Sequence, residues 1–116
     1  MLKILLIEDD TRVREVLIEM LASLGHSVLA TAGGREGFAR LEAGDPVDLV
    51  LTDLKMPEMS GWDVVKAVKA RWPHLRIGLV TGTPELLWEQ REPVDLVIPK
   101  PVRLEALRQA LSKVYP

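Results

Sequence analysis

The sequence contains no cysteine, no long apolar run and no excess of basic residues. Without cysteine, the chain cannot form a disulfide framework or use a thiolate as a nucleophile or metal ligand. Its apolar runs fall well short of the roughly twenty residues that a transmembrane helix requires. The N-terminus also lacks the pattern of a secretory signal, so we expect a cytoplasmic protein without membrane contacts.

The charged residues are nearly balanced in sign, with 15 Lys and Arg against 17 Asp and Glu and a net charge of −2. The basic residues are interspersed among acidic ones instead of forming one stripe, which predicts no direct nucleic-acid binding. A length of 116 residues suits one core. We therefore expect residues 1–116 to form a single domain.

Short apolar segments alternate with longer segments of helical period, which is the order that a parallel α/β sheet requires. Between the prolines at 84 and 93 only a short helix fits, over residues 85–91. Gly25, Gly44 and Pro73 are typical helix-end signals. The strand candidates are 2–7, 27–31, 47–52, 76–81 and 94–98, and the other helical segments are 13–24, 38–41, 64–72 and 104–114.

This order predicts an α/β fold, a doubly wound five-stranded parallel sheet with helices on both faces and no internal repeat. Ligands of such sheets bind beyond the carboxyl ends of the strands. Polar residues lie at the carboxyl ends of four of the five predicted strands: the acidic run at 8–10, Asp53, Thr81 and Lys100. The strand ends are therefore where chemistry is expected.

The carboxylates of Glu8, Asp9 and Asp53 would repel one another in a partly buried pocket unless a cation offsets their charge. Carboxylate oxygens with room for water suit Mg²⁺. A carboxylate beside Mg²⁺ can attack phosphorus and form an aspartyl phosphate, and a lysine ammonium and a threonine hydroxyl can stabilise the transferred oxygens. The strand ends predict a phosphoryl-accepting site.

Four motifs at these strand ends resemble those of response-regulator receiver domains of two-component signal transduction, a family with a chemotaxis-regulator-like fold. Each motif alone is weak evidence, but four in the right order, each at a predicted strand end, are specific. The resemblance covers essentially the whole chain and implies a flavodoxin-like sheet with strand order 2-1-3-4-5. The motifs are ILLIEDD at 4–10, DLVLTDLKMPEMSGWD at 48–63, VTGTP at 80–84 and IPKPV at 98–102.

The resemblance implies that Asp53 is the phosphoacceptor and that Lys100 and Thr81 bind the transferred oxygens. The bond between Lys100 and its following proline is cis in the family. Mg²⁺ would be the cofactor, and its protein ligands would be Glu8, Asp9, Asp53 and the backbone carbonyl of Lys55.

The resemblance also implies the partners. A sensor histidine kinase or histidine phosphotransfer protein would donate the phosphoryl group, and a downstream output protein or domain would respond to it. The protein would be a monomer or weak dimer. It would not be an enzyme with a separate substrate, because a receiver promotes only its own phosphorylation and dephosphorylation.

Other conspicuous residues have simpler structural explanations. Asp10 is better placed to cap the first helix than to bind metal. Gly61 is typical of a turn, where glycine adopts a conformation that other residues resist. His26 and His74 lie at element boundaries without a ligand partner near them in sequence. Of the three tryptophans, Trp88 is the candidate for a partner contact, and we expect the other two to pack at helix ends.

Two departures from the family pattern fall on the face that receivers present to partners. Most receivers carry an aromatic residue three positions before the lysine, where this chain has Val97, and the segment 81–100 is shorter than usual. We predict intact phosphorylation chemistry with an atypical output, carried by a partner or by the short helix at 85–91. Gly82 is a variation associated with receivers that are fused to, or work with, hybrid histidine kinases.

The main alternative is a pseudo-receiver, an interaction module regulated by binding without phosphorylation; the acids, Thr81 and Lys100 argue against it. A Mg²⁺-dependent phosphatase or phosphotransferase would need a substrate cap, for which 116 residues leave no room. A flavin or dinucleotide binder would need a glycine-rich loop where the acidic run at 8–10 stands.

Overall fold

A computed structural model of the protein describes residues 1–82 and 93–116. Its strands form one parallel sheet in the order β2-β1-β3-β4-β5. The predicted short helix at 85–91 and Trp88 lie outside the described residues. No helix in the described part of the chain is long and apolar enough to cross a membrane. The elements are β1 (Lys3–Ile7), α1 (Thr11–Ser23), β2 (Ser27–Thr31), α2 (Gly34–Glu42), β3 (Leu49–Asp53), α3 (Gly61–Arg71), β4 (Arg76–Thr81), β5 (Leu96–Pro99) and α4 (Leu104–Val114).

A capping aspartate marks the start of α1, and glycines follow the ends of α1 and α2. The Oδ1 atom of Asp10 accepts a hydrogen bond from the Val13 backbone N–H at 3.1 Å, so Asp10 caps α1 as expected. Gly25 (φ +90°) follows α1 and Gly44 (φ +87°) follows α2, both in the left-handed region that glycine tolerates best. These helix-end predictions are confirmed.

Helix α3 begins three residues earlier than the apolar stripe at 64–72 indicates. Ser60 and Asp63 form a capping box, in which the serine hydroxyl accepts from the Asp63 N–H and the aspartate accepts from the Ser60 N–H. Pro73 follows the C-terminal end of the helix, as expected.

The strand side chains alternate between two cores, one on each face of the sheet. Helices α1 and α4 cover one face, and α2 and α3 cover the other. In β1, Ile4 and Leu6 contact the first pair of helices, while Leu5 and Ile7 contact the second pair. All four are at most 1% exposed, as in a central strand covered on both faces. The predicted fold class is confirmed, including the strand order and helices on both faces.

One short sequence, Pro-Val-Asp-Leu-Val, occurs at 46–50 and again at 93–97. The two aspartates make the same contacts. Asp48 donates its N–H to the Lys3 carbonyl at 2.7 Å, and its Oδ2 accepts the Lys3 N–H at 2.8 Å. Asp95 makes the same pair with Ile77 at 2.8 and 2.9 Å. In each case the aspartate carboxylate accepts an N–H that a backbone carbonyl would accept in a regular parallel ladder. Strands β3 and β5 therefore begin two residues later than predicted.

We expect Asp95→Ala to lower the free energy of unfolding by about 1–2 kcal/mol, because the partly buried Ile77 N–H loses its acceptor. Asp48→Ala is the matched control and should cost less, because the corresponding bond is exposed and water can replace it. Urea unfolding of both variants measures the difference. Equal costs, or no cost for Asp95→Ala, would contradict this account.

Candidate functional site

Three carboxylates meet at the carboxyl edge of the sheet. Glu8 and Asp9 follow β1, Asp53 ends β3, and these strands are neighbours with Ile7 opposite Thr52. One carboxylate oxygen from each acid lies within 4.8 Å of the others. Glu8 is fully buried and Asp53 is 7% exposed, whereas Asp9 faces solvent. The cluster is therefore an acidic pocket that is open on one side.

The ammonium group of Lys100 joins two of these acids. Its Nζ atom lies 3.2 Å from both carboxylate oxygens of Glu8 and 3.1 Å from Oδ2 of Asp53. The peptide bond between Lys100 and Pro101 is cis, in agreement with what the motif IPKPV implied. A residue that follows β5 thus reaches side chains at the ends of β1 and β3.

Burial and charge act in opposite directions on the ionisable groups of the pocket. Burial, reinforced by the charge of Asp53, raises the pKa of Glu8 to about 7, even though Lys100 acts to lower it. Burial alone would lower the pKa of Lys100, but hydrogen bonding to Asp53 and the charges of both acids outweigh it, so that pKa is raised. One ammonium therefore does not fully offset the buried acids. Hard oxygen donors with uncompensated charge fit a divalent cation such as Mg²⁺.

Asp53 is held with one carboxylate oxygen towards the ammonium of Lys100. Its Oδ1 accepts the Leu54 N–H at 2.8 Å, and its Oδ2 faces Lys100. Gly61, at the start of α3, donates its N–H to the Leu54 carbonyl at 2.8 Å, and a Cβ atom there would lie 2.5 Å from the Asp53 carbonyl oxygen. Gly61 has no positive φ. Glycine is therefore needed for close packing, not for the unusual conformation that the sequence pattern indicated.

Thr81 is the last residue of β4, and Lys55 follows the last residue of β3 by two positions. Thr81 is buried and follows Val80, which is the residue opposite Asp53 in the sheet. Its carbonyl accepts the Lys100 N–H at 2.9 Å, so the ends of β4 and β5 are joined by a backbone hydrogen bond. The side chain of Lys55 is exposed.

The family model of the response regulator receiver domain matches residues 4–112. The chain belongs to this family. It is 31% identical to the chemotaxis protein CheY1 of Helicobacter pylori, over 97% of this chain and 96% of that protein. Receiver domains are phosphoacceptor signalling domains. The two-component receiver role that the four motifs indicated is therefore confirmed at the level of the family.

Solved structures agree with the receiver fold. The chemotaxis protein CheY4 of Vibrio cholerae superposes with a TM-score of 0.88 at 28% identity, with 98% of each chain covered. The response regulator TrrA of Thermotoga maritima, solved in complex with Mg²⁺ and BeF, has a TM-score of 0.86 at 25% identity. The match covers 98% of this chain and 99% of TrrA.

The histidines and the two described tryptophans lie away from the receiver pocket. His26 accepts a hydrogen bond at Nδ1 from the Leu2 N–H at 3.0 Å, and burial lowers its pKa. His74 is exposed. Trp62, in the first turn of α3, is 7% exposed, and Trp72, which follows the last residue of α3, packs against the same core. Their packing near helix ends is as expected.

Sequence reasoning missed one residue at this edge of the receiver. Arg14, in α1, donates from Nη1 to the backbone carbonyl of Glu8 at 2.9 Å. It stands in the sequence as one of several charged residues of an amphipathic helix, and nothing in that pattern distinguishes it. Only the structure shows that its guanidinium contacts the acidic loop.

The raised pKa of Glu8 predicts that the metal-free receiver loses stability as pH rises. Between the ordinary value of 4.5 and the folded value of about 7, the folded state binds more protons than the unfolded state. The free energy of unfolding therefore falls across that window. We expect Glu8→Gln to raise it by about 1–3 kcal/mol near pH 8 without divalent cations, and to change it little near pH 4.

Urea unfolding at both pH values in the presence of a chelator measures this effect. Glu15→Gln, on the exposed side of α1, is the control and should change stability little at either pH. A gain for Glu8→Gln that is the same at both pH values would contradict the explanation by ionisation.

Proposed function

We propose that the protein accepts a phosphoryl group on Asp53 in a Mg²⁺-dependent reaction and changes its output face in response. The observation that carries this proposal is a buried aspartate oxygen 3.1 Å from an ammonium, beside two further carboxylates. Glu8, Asp9, Asp53 and the backbone carbonyl of Lys55 would hold Mg²⁺, which supplies positive charge to the phosphoryl oxygens when bound. The Mg²⁺ and BeF complex of the Thermotoga maritima relative supports this choice of cation.

The donor would be a phosphohistidine of a sensor histidine kinase or histidine phosphotransfer protein. A carboxylate oxygen of Asp53 would form the new P–O bond as the P–N bond breaks and the imidazole leaves. Lys100 would pair with the transferred oxygens, and the hydroxyl of Thr81 would donate a hydrogen bond to one of them. The protein would act only on itself and would turn over no separate substrate.

Intact-mass spectrometry after incubation with Mg²⁺ and acetyl phosphate tests this proposal. We expect the wild-type chain to gain the mass of one phosphoryl group, and we expect no gain for Asp53→Asn or in the presence of a chelator. Asp63→Asn, at an exposed aspartate of α3, is the matched control and should be phosphorylated like the wild type. If neither acetyl phosphate nor a phosphohistidine donor labels the chain and it does not bind Mg²⁺, the pseudo-receiver alternative replaces this function.

An apolar groove of about 220 Å³ borders the pocket. This groove offers a surface on which a protein donor would dock. Val13 and Val16 of α1 line one side, and Pro101 and Val102 line the other, with Lys100 between groove and pocket. Val16 is 47% exposed and adds apolar surface to this groove. Because Lys100 belongs to both places, a donor docked in this groove would bring its phosphohistidine towards Asp53.

We expect Val16→Glu to slow phosphoryl transfer from a phosphohistidine protein by about fivefold or more, because a charge would be buried in the docked groove. Labelling by acetyl phosphate should be unchanged, because the small donor needs no docking surface. Leu104→Glu, at a 44% exposed leucine outside the groove, is the matched control. Equal slowing with both donors, or none with the protein donor, would exclude this docking surface.

The output of the switch stays a prediction. Val97 is partly buried in β5, where most receivers have an aromatic ring, and the short helix assigned to an altered output lies outside the described residues. Five further expectations also stay predictions. They are the downstream output protein or domain, the monomer or weak dimer, the single domain at 1–116, the cytoplasmic location and the link between Gly82 and hybrid kinases.

A further inference from the structure

We propose that Arg14 is a positioning residue that holds the acidic loop after β1 in the shape needed for cation binding. This inference rests on the Mg²⁺ site proposed above. Arg14 is partly buried in the first half of α1, and its Nη1 donates to the carbonyl oxygen of Glu8 at 2.9 Å. The contact ties the helix back to the residue at which the strand ends.

The contact lies where the hydrogen bonding of the sheet stops. The register of β1 with its neighbours ends at Ile7, opposite Thr31 on one side and Thr52 on the other. One further bond follows, from the Glu8 N–H to the Thr31 carbonyl at 3.1 Å. The Glu8 carbonyl lies beyond the ladder and accepts from the guanidinium instead. A charged donor makes a stronger hydrogen bond than a neutral one, so this carbonyl is firmly held.

Asp9 lies between two residues that are both fixed by hydrogen bonds. Glu8 is held at its backbone by Arg14, and its Oε1 accepts the Asp10 N–H at 3.4 Å. Asp10 is held in turn as the cap of α1 through Val13. Asp9 is itself exposed, so the position of its carboxylate depends on the backbone on either side. Loss of the Arg14 contact would free the Glu8 carbonyl, which is the backbone group nearest to Asp9 on that side, while the Glu8 N–H would stay bonded to Thr31.

The contact acts through geometry, because the guanidinium bonds a backbone carbonyl and not a carboxylate. Among residues 1–82 and 93–116, the side-chain charges that act on Glu8 are those of Asp53 and Lys100. Arg14 therefore neither replaces the ammonium of the pocket nor contacts the reacting groups. Its effect should appear in cation affinity and in the order of the loop.

Calorimetric titration of the full chain with Mg²⁺ tests this proposal in three variants. Arg14→Met keeps much of the aliphatic stem and removes the donor, and we expect Mg²⁺ to bind about tenfold more weakly, as is usual for loss of a group that orients a ligand. Arg14→Lys retains a charged donor and should recover most of the affinity. Arg40→Met, at an exposed arginine of α2, matches the loss of charge and should bind like the wild type.

Affinity for Arg14→Met within about twofold of the wild type would overturn the proposal. So would equal weakening by Arg14→Met and Arg14→Lys, because the effect would then not depend on donation to the carbonyl. A second readout needs no metal. Amide hydrogen exchange of Asp9 and Asp10 in the metal-free chain should be faster in Arg14→Met than in Arg40→Met, and unchanged exchange would also overturn the proposal. If the wild type binds no Mg²⁺, the proposed function fails, and this exchange measurement still decides the role of Arg14.

Discussion

The contact of the Lys100 ammonium with Glu8 and Asp53 is the interaction on which the pocket depends. Two carboxylates this close and this buried would strongly favour protonation or separation without a cation between them. The ammonium permits their proximity, yet the pKa of Glu8 is still raised to about 7, so the compensation is incomplete. The pocket therefore retains negative charge that a further cation would offset. Excess negative charge of this kind favours the binding of a divalent cation, and a fully neutralised salt bridge would lack it.

The rest of the fold brings these three side chains together from distant parts of the sequence. Parallel pairing of β1 with β3 and of β4 with β5 brings the strand ends to one edge, and cores on both faces fix the strands. The repeated pentapeptide lies at the amino ends of β3 and β5, where Asp48 and Asp95 make the first contacts of these strands with their neighbours. A slip of one residue would exchange the two faces of a strand. Contacts at the start of β3 and β5 therefore help to position Asp53 and Lys100 at their ends.

The sequence predicted those parts of the structure that leave a periodic or motif signal. Buried strands, helix stripes and the acids, threonine and lysine at strand ends were all recognisable, and the strand order came from the family resemblance. The starts of β3 and β5 were misplaced because Val47 and Val94 are apolar and β-branched, while the aspartates that follow them bond to the neighbouring strand before the ladder begins. The reason for Gly61 was also missed, since its contact with the Asp53 carbonyl exists only after folding. Arg14 was overlooked because a bond from a side chain to a backbone carbonyl leaves no periodic signal.

Lys100 also connects the charge of the pocket to the backbone of the sheet. Its ammonium contacts Glu8 and Asp53, while its N–H donates to the carbonyl of Thr81 at the end of β4. Phosphorylation of Asp53 would add negative charge where the ammonium already lies, and it would draw Lys100 and the Thr81 hydroxyl towards the same oxygens. Because the two residues share a backbone hydrogen bond, they would move as a unit. An aromatic ring at position 97 is therefore not needed to couple the ends of β4 and β5, and we expect Val97 to affect a later part of the output and not its first step.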